Sequence, residues 1–192
     1  MTDLADRRGI ETEVYDPAED SLLLARTAVD AIGGDDVVLD VGTGTGFVAD
    51  EVRAATGAAV VASDVNPHAC ERAAERGLPT VRADLVAPFR ANVFDAVTFN
   101  PPYLPADEDA RRDDWVEVAL TGGATGRAVI DPFLDTVGRV LGPQGVVLLL
   151  VSTLTGVDAV VERAGDAGFS AVAMAESSFP YETLVVLKLV RG

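Results

Sequence analysis

Apolar runs of strand length alternate along this chain with stretches in which apolar residues recur every three or four positions, as on one face of a helix. The strand-like runs predict seven β-strands, at residues 36–41, 58–63, 78–82, 94–99, 146–152, 169–177 and 183–190. The helix-like stretches predict five helices, at residues 17–32, 47–56, 68–76, 127–141 and 155–167. Only a turn separates the last two strands, which are therefore expected to pair antiparallel.

This order of elements is typical of an α/β protein in which helices connect the strands of one mostly parallel sheet. We predict a single Rossmann-like domain with a seven-stranded, mostly parallel sheet that ends in an antiparallel C-terminal hairpin. The polar residues 1–13 are interpreted as an N-terminal arm, and residues 14–192 as the domain. No run of about 18 apolar residues is present, so no membrane-spanning helix is expected.

The fourth predicted strand runs directly into Asn100-Pro101-Pro102-Tyr103, which we take as the centre of the site. Each proline lacks a backbone N–H and favours extended geometry before it, so the Asn100 amide and its neighbouring carbonyls have no ladder to join. In open α/β sheets, ligands bind at the carboxyl ends of strands. Two oxygen acceptors there suit a planar –NH2 group, with Tyr103 as a flat wall. A simple proline-rich turn is the alternative interpretation.

A glycine-rich turn, Gly42-Thr43-Gly44-Thr45-Gly46, follows the first strand and precedes a helix, which is the context of a nucleotide-binding loop. Asp64 follows the second strand, 22 positions after Gly42 (64 − 42), a spacing that suits an acceptor for a ribose diol. Asp84 follows the third strand at the same edge of the sheet. We favour contact of its side chain with an adenine amino group over the alternative, that it only caps the loop. The sequence therefore predicts a cofactor that carries a ribose and an adenine.

Other stretches carry candidate chemistry with less definite roles. Residues 19–21 place two acids and a hydroxyl in the first turns of a helix for which Asp16 is the predicted N-cap. Residues 103–125 are interpreted as a long, irregular, substrate-facing loop. Arg127 is either a site residue or a solvated partner for an acid of that loop. His68, the sole histidine, is interpreted as a surface helix residue, because a metal site needs several ligands.

The 192 residues carry a net charge of −16, and Lys188 is the only lysine. Phosphate binding needs basic surface, so this charge argues against a nucleic-acid partner. It also fits a high-salt cytoplasm in which self-repulsion is screened, and predicts a halophilic source. Cys70 is the one cysteine, so neither a disulfide nor a cysteine-cluster metal site is expected within the chain. The first residues lack the basic and apolar blocks of a signal peptide, which favours a cytoplasmic location.

The glycine turn, Asp64, Asp84 and the Asn-Pro-Pro-Tyr stretch together resemble the class I S-adenosylmethionine-dependent methyltransferases. Within them, the sequence resembles the HemK/PrmC type, which methylates the side-chain amide nitrogen of glutamine in release factors. The segment at residues 14–21 is similar to the Tyr-x-Pro-Ala-Glu-Asp-Ser/Thr segment of the archaeal and eukaryotic branch. The resemblance implies methyl transfer from S-adenosyl-L-methionine to N5 of a glutamine, in the GGQ motif of an archaeal peptide-chain release factor.

The resemblance also implies roles for individual residues. The implied cofactor contacts are Tyr15, Ser21, Asp40, Gly42, Thr43, Gly44, Gly46, Asp64, Val65, Asp84, Leu85 and Asn100. The implied catalytic group, which holds the glutamine amide, consists of Asn100, Pro101, Pro102 and Tyr103. Asp40 stands where the family often has Glu, so its shorter side chain is expected to act through water. A small zinc-binding partner is implied to cover an apolar patch formed by Leu78, Pro79 and Val81.

Three other functions fit the sequence less well. A nucleic-acid methyltransferase for N6 of adenine or N4 of cytosine also acts on a planar –NH2, but it needs a basic groove, and Arg111 and Arg112 stand isolated among acids. A nicotinamide-dependent dehydrogenase leaves Asn-Pro-Pro-Tyr unexplained, and the glycine turn departs from the G-x-G-x-x-G spacing. A non-catalytic binding module would not need both a cofactor set and an acceptor motif.

Overall fold

The computed structural model describes residues 14, 17–105 and 115–192, and the predicted N-terminal arm lies outside them. The helices are α1 (Glu19–Ala31), α2 (Phe47–Thr56), α3 (Pro67–Glu75), α4 (Trp115–Leu120), α5 (Ile130–Val140) and α6 (Val157–Asp166). The strands are β1 (Val37–Val41), β2 (Ala59–Asp64), β3 (Thr80–Arg82), β4 (Phe94–Phe99), β5 (Leu141–Ser152), β6 (Phe169–Ser178) and β7 (Thr183–Arg191). Each predicted strand and helix is therefore present, with shifts at its ends.

The described strands form one sheet in the order β3-β2-β1-β4-β5-β7-β6, in which β7 runs antiparallel to both of its neighbours. The chain moves outward from β1 to β3 and then crosses to β4 on the other side of β1. Crossovers that diverge in this way leave a crevice at the carboxyl ends of the two central strands. The predicted seven-stranded, mostly parallel sheet with an antiparallel C-terminal hairpin is confirmed.

Apolar side chains cover the sheet on both faces, as the near-continuous apolar sequence of its central strands requires. On one face, α5 packs Ile130, Phe133 and neighbouring residues into the larger cluster of buried side chains. On the other face, Leu24 and Ala28 of α1 pack with Val52 of α2. The tips of β1 and β4 are thus fixed between two packed layers.

Three predicted helix starts lie later in the structure, and one of them is that of α5, which begins at Ile130 and not at residue 127. α1 begins at Glu19 with Ala18 as its N-cap, so Pro17 precedes the helix, and the predicted cap, Asp16, lies outside the described residues. α6 begins at residue 157, because a short 3-10 turn at residues 153–155 precedes it.

Two segments predicted as irregular carry regular structure. Residues 103–125 contain α4, and Leu104 forms a bridge with Thr121, so this part is not one long loop. The predicted turn at residues 142–145 belongs to β5, whose pairing with β4 shifts register between Phe94 and Ala96. In the described part of the chain, no helix has the length and apolar character needed to cross a membrane.

Candidate active site

A cavity of about 300 Å³ lies at the carboxyl ends of β1, β2 and β4, where the crossovers diverge. Most of the predicted site residues line it: Ser21, Asp40, Gly42, Thr43, Gly44, Asp64, Val65, Asp84, Leu85, Asn100, Pro101, Pro102 and Tyr103. Gly46 is not among the lining residues, and Tyr15 lies outside the described ones. The fold therefore brings the glycine turn, the strand-end acids and the Asn-Pro-Pro-Tyr stretch around one space.

Asp40 links the glycine turn to the neighbouring strand. It is only 3% exposed, and its two carboxylate oxygens accept hydrogen bonds from Thr43 Oγ1 at 2.6 Å and Thr98 Oγ1 at 2.7 Å. Burial raises the pKa of this carboxyl to about 6, against the two hydroxyl donors, which favour its charged form. The aspartate side chain thus holds β4 and the turn in register beside the cavity.

Asp64 fixes the glycine turn from the second strand. Its Oδ2 accepts from the Gly44 N–H at 2.9 Å, and its Oδ1 accepts from the Asn66 N–H at 2.9 Å. Burial raises the pKa of this carboxyl, and the backbone donors lower it. Each carboxylate oxygen has two lone pairs, so both oxygens can accept a further hydrogen bond from a ribose diol. The geometry fits the role predicted for Asp64.

Gly46 serves the packing of the site rather than its lining. It is the N-cap of α2 with a φ of +78°, in the left-handed region that favours glycine. A Cβ there would lie 2.9 Å from Leu78 Cδ1 and 3.1 Å from Ala73 Cα. Its absence of a side chain lets the turn approach α3 and β3 closely.

The predicted cofactor contacts Val65, Asp84 and Leu85 follow β2 and β3, on the side of β1 away from β4. Val65 follows β2 and is 43% exposed, while Asp84 and Leu85 follow β3. Leu85 has a φ of +49°, a conformation that costs free energy for a branched side chain. Asp84 is exposed, and Val65 and Leu85 add apolar surface to the same lining, which suits a flat ring that carries an amino group.

At the end of β4, the side-chain oxygen of Asn100 is a hydrogen-bond acceptor that receives no donor from the described residues. Asn100 Nδ2 lies 3.5 Å from Ser21 Oγ, whereas the buried Asn100 Oδ1 has no hydrogen-bond partner among the described residues. The Tyr103 hydroxyl, at 4% residue exposure, donates to Asp20 Oδ2 at 3.4 Å. A buried unpaired acceptor costs about 1–3 kcal/mol, a cost that a bound donor would relieve.

The charge of the cavity is of one sign. Its described lining contains four acids, Asp20, Asp40, Asp64 and Asp84, and no lysine or arginine. Such a lining favours a cationic or neutral ligand and disfavours a phosphate backbone.

Other predicted residues lie away from the cavity. Arg127 donates from Nη1 to the carbonyl oxygen of Thr155, so it anchors the turn after β5 and does not line the site. His68 lies on α3, with Nδ1 3.9 Å from Glu71 Oε2, and is not a lining residue either. Leu78, predicted as part of an exposed apolar patch, is 4% exposed and belongs to the core, so that patch is reduced to Pro79 and Val81.

Several lining residues had no predicted role. Asp20 was noted only as a member of an acidic cluster, while Trp115 and Leu120 of α4 and Val129 form apolar wall. Asn66 is the N-cap of α3, and its side chain accepts from the His68 N–H at 2.9 Å. Asp20 belongs to the site because α1 contacts the end of β4 in the folded protein. No local sequence pattern predicts that contact.

Comparisons with known proteins identify the family of the chain. A family model described as a methyltransferase domain matches residues 38–123. A protein of Methanocaldococcus jannaschii named as a protein N5-glutamine methyltransferase is 34% identical over 95% of this chain and 94% of its own length. Human methyltransferase HEMK2 is 29% identical over 96% and 93%.

A solved structure shows the same fold. In the E. cuniculi Mtq2–Trm112 complex, responsible for methylation of the eRF1 translation termination factor, one chain matches with a TM-score of 0.79 and 30% identity. The match covers 94% of this chain and 100% of that one.

The fold is that of the class I methyltransferases, which use S-adenosylmethionine. Within that class, the chain belongs to the protein N5-glutamine methyltransferase family. The predicted enzyme class, cofactor and family are thereby confirmed.

Proposed function

We propose that this protein transfers the methyl group of S-adenosylmethionine to the side-chain amide nitrogen, N5, of a glutamine in the GGQ motif of a peptide-chain release factor. The observation that carries the proposal is the buried, unpaired Asn100 Oδ1 at the end of β4. The activity named for the M. jannaschii relative and the eRF1 methylation by the Mtq2–Trm112 complex support this substrate class. Because such a substrate acts in translation, we propose the cytoplasm as the place of action.

The cavity suits this cofactor in the chemistry of its donors and acceptors. S-adenosylmethionine carries net positive charge, and the described lining supplies four aspartates and no basic side chain. Asp64 would hold the ribose, and Val65, Asp84 and Leu85 the adenine. The remaining predicted contacts would hold the methionine part of the cofactor; they come from Tyr15, Ser21, Asp40 and the glycine turn. When bound, the cofactor supplies an electrophilic methyl group on a sulfonium.

The chain's own contribution is to orient a weak nucleophile. An amide nitrogen is poorly nucleophilic because its lone pair is delocalised into the carbonyl. Asn100 Oδ1 and the Pro101 carbonyl, as acceptors for the two N–H groups, would fix the –NH2 and shift electron density toward nitrogen. Alignment of this kind can supply up to about 7–11 kcal/mol of a barrier. The nearly buried Tyr103 and Pro101 keep these contacts away from bulk water, where they would be weaker.

We propose a small zinc-binding protein as the partner of this chain. The Mtq2–Trm112 complex supports a partner subunit, and the resemblance supports its zinc. β3 ends the described sheet, and with Pro79 and Val81 it presents a free strand edge of limited apolar area. We also propose residues 14–192 as the methyltransferase domain, and a haloarchaeal source on the net charge of −16.

The test is incubation with S-adenosylmethionine labelled in its methyl group and the release factor of the same cell, with and without the partner, followed by mass mapping. We expect one methyl group on the glutamine side chain, and none on a release factor whose target glutamine is replaced by alanine. Label on adenine or cytosine of added nucleic acid, with none on protein, would instead establish the alternative activity.

Asn100→Ala tests the observation that carries the proposal. Loss of the acceptor is expected to lower methyl transfer by about 10²-fold or more, the cost of removing one preorganised partner at a reacting centre. The cofactor Kd, measured by calorimetry, is expected to stay within about threefold of wild type, since the ribose and adenine contacts are intact. Equal losses of binding and turnover would place Asn100 in the cofactor site alone.

A further inference from the structure

A buried carboxylate of α1 lies beside the β4 tip, in the lining of the cavity. Asp20 is 4% exposed, and its Oδ1 accepts from the Ser21 N–H at 2.7 Å and from the Ser21 hydroxyl at 3.4 Å. Its Oδ2 accepts from the Tyr103 hydroxyl at 3.4 Å. Ser21 Oγ in turn lies 3.5 Å from Asn100 Nδ2. A chain of polar groups thus leads from Asp20 through Ser21 to the amide of Asn100.

The orientation of that amide needs an explanation. Rotation of the Asn100 side chain by half a turn would let Oδ1 accept a hydrogen bond from the Ser21 hydroxyl. The observed orientation instead leaves Oδ1 buried without a partner among the described residues, at a cost of about 1–3 kcal/mol. Some group must therefore prevent Ser21 from donating to Asn100.

Asp20 supplies that constraint, because an ionised carboxylate only accepts hydrogen bonds. The Ser21 proton is directed to Asp20 Oδ1, so Ser21 Oγ can offer Asn100 only a lone pair. The lone pair selects Asn100 Nδ2, and Oδ1 is left for the incoming –NH2. Hydrogen bonds of this length in a site without substrate commonly shorten when the substrate binds.

We propose that Asp20 is a positioning residue that sets the direction of the Asn100 amide through the Ser21 hydroxyl. The inference deepens the proposed function and rests on it, since the free Asn100 Oδ1 is useful only toward a donor such as an amide –NH2. Asp20 acts through another residue and contacts no reacting atom.

Two substitutions of Asp20 separate direction from charge. Asp20→Leu is similar in size and has no acceptor, so the Ser21 hydroxyl is released to Asn100 Oδ1. We expect kcat for release-factor methylation to fall by about 10²-fold, as for loss of a preorganised partner, with KM and cofactor Kd nearly unchanged. Asp20→Asn keeps a side-chain oxygen, which the Ser21 N–H holds toward the Ser21 hydroxyl. Its kcat is expected to fall by no more than about tenfold, which corresponds to the weakening of one hydrogen bond.

Glu19→Gln is the matched control, because it removes the same charge one position earlier, from an exposed side chain that does not line the cavity. It is expected to leave kcat within about twofold of wild type, as surface changes usually do. Equal kcat for Asp20→Leu and Asp20→Asn, or a loss in cofactor Kd that matches the loss in kcat, would overturn the proposal.

The Ser21→Ala background tests the route. Without the hydroxyl, Asp20 can no longer direct Asn100, so Asp20→Leu is expected to cost much less there than in wild type. If the kcat losses of the two single variants simply multiply in the double variant, Asp20 has a general structural role, and its proposed action through Ser21 is wrong.

A measurement independent of methylation completes the test. The chain has three asparagines, Asn66, Asn92 and Asn100, so selective 15N labelling yields three side-chain –NH2 signals. A nuclear Overhauser contact between the Asn100 –NH2 and the Ser21 β-protons is expected in wild type and Asp20→Asn, and is expected to be lost in Asp20→Leu. If the contact persists in Asp20→Leu, the proposed action through Ser21 is wrong whatever the substrate. If the contacts change as expected while the wild type leaves release factor unmethylated, only the proposed function fails.

Discussion

Asp64 shows how one carboxylate can build a site and also serve it. Its two oxygens hold the N–H groups of Gly44 and Asn66, which shapes the turn, and their remaining lone pairs face a prospective diol. Asp64→Ala removes both contributions. We expect the cofactor Kd to weaken by about 10–100-fold, from the 1.5–3 kcal/mol of hydrogen bonds to a charged group, with kcat at saturating cofactor much less affected. An unchanged Kd in calorimetry would remove Asp64 from the ribose role.

Asp40 predicts a pH dependence of stability. Burial raises its pKa from 3.8 to about 6, so between those values the folded protein binds more protons than the unfolded chain. The stability linked to this proton is fully present below about pH 4 and is lost as the pH rises through about 6. Asp40→Asn removes the titration and keeps an acceptor for a threonine hydroxyl.

The difference in unfolding free energy, Asp40→Asn minus wild type, is therefore expected to increase by up to about 3 kcal/mol between pH 4 and pH 7. Denaturant titrations at a series of pH values measure it, and the other acids cancel because both proteins share them. A difference that stays flat would show that Asp40 is charged throughout, and that Thr43 and Thr98 outweigh its burial.

At the scale of elements, α2 begins and ends with a glycine of the same backbone conformation. Gly46 has a φ of +78° and Gly57 a φ of +81°. An added Cβ at Gly57 would meet nothing within 4 Å, whereas at Gly46 it would meet Leu78 and Ala73. The two positions therefore separate backbone strain from close packing.

Gly57→Ala is expected to cost roughly 1–2 kcal/mol, the strain of a left-handed alanine. Gly46→Ala carries the same strain and also forces Leu78 and α3 to move, so its cost is expected to exceed that of Gly57→Ala by about 1–3 kcal/mol. Urea unfolding of both variants measures the difference. Equal costs would mean that the contact with α3 relaxes freely, and that Gly46 is needed only for its conformation.

The same elements show what the sequence could and could not predict. Apolar runs and glycine turns are local, and they located every strand, the order of the strand-end acids and the Asn-Pro-Pro-Tyr tip. The burial of Leu78 against Gly46, the strand character of residues 142–145 and the link of Asp20 to Asn100 depend on partners far along the chain. A periodic pattern records which face is apolar, but it does not record which neighbour covers it.

At the scale of the whole molecule, arginine side chains connect parts of the chain that are distant in the sequence. Among the described residues, six arginines donate to backbone carbonyls distant in the sequence: Arg53 to Gly77, Arg76 to Thr45, Arg82 to Val65, Arg127 to Thr155, Arg139 to Val86 and Arg191 to Leu141. The planar guanidinium suits such forked contacts better than an ammonium. Arg53 and Arg76 also pair with Asp50, but the 31 acids of the chain far outnumber its 15 lysines and arginines.

The net charge of −16 should therefore destabilise the compact state when salt is removed. We expect the Tm to rise from millimolar to molar KCl, with most of the rise below about 1 M, where the Debye length has already fallen to about 3 Å. Triple replacement of the exposed Glu51, Glu75 and Glu162 by glutamine should raise the Tm in low salt and flatten the dependence, since it lowers the repulsion that salt screens. If the variant and the wild type rise in parallel instead, the salt acts by strengthening apolar burial, and the acidic surface reflects solubility rather than stability.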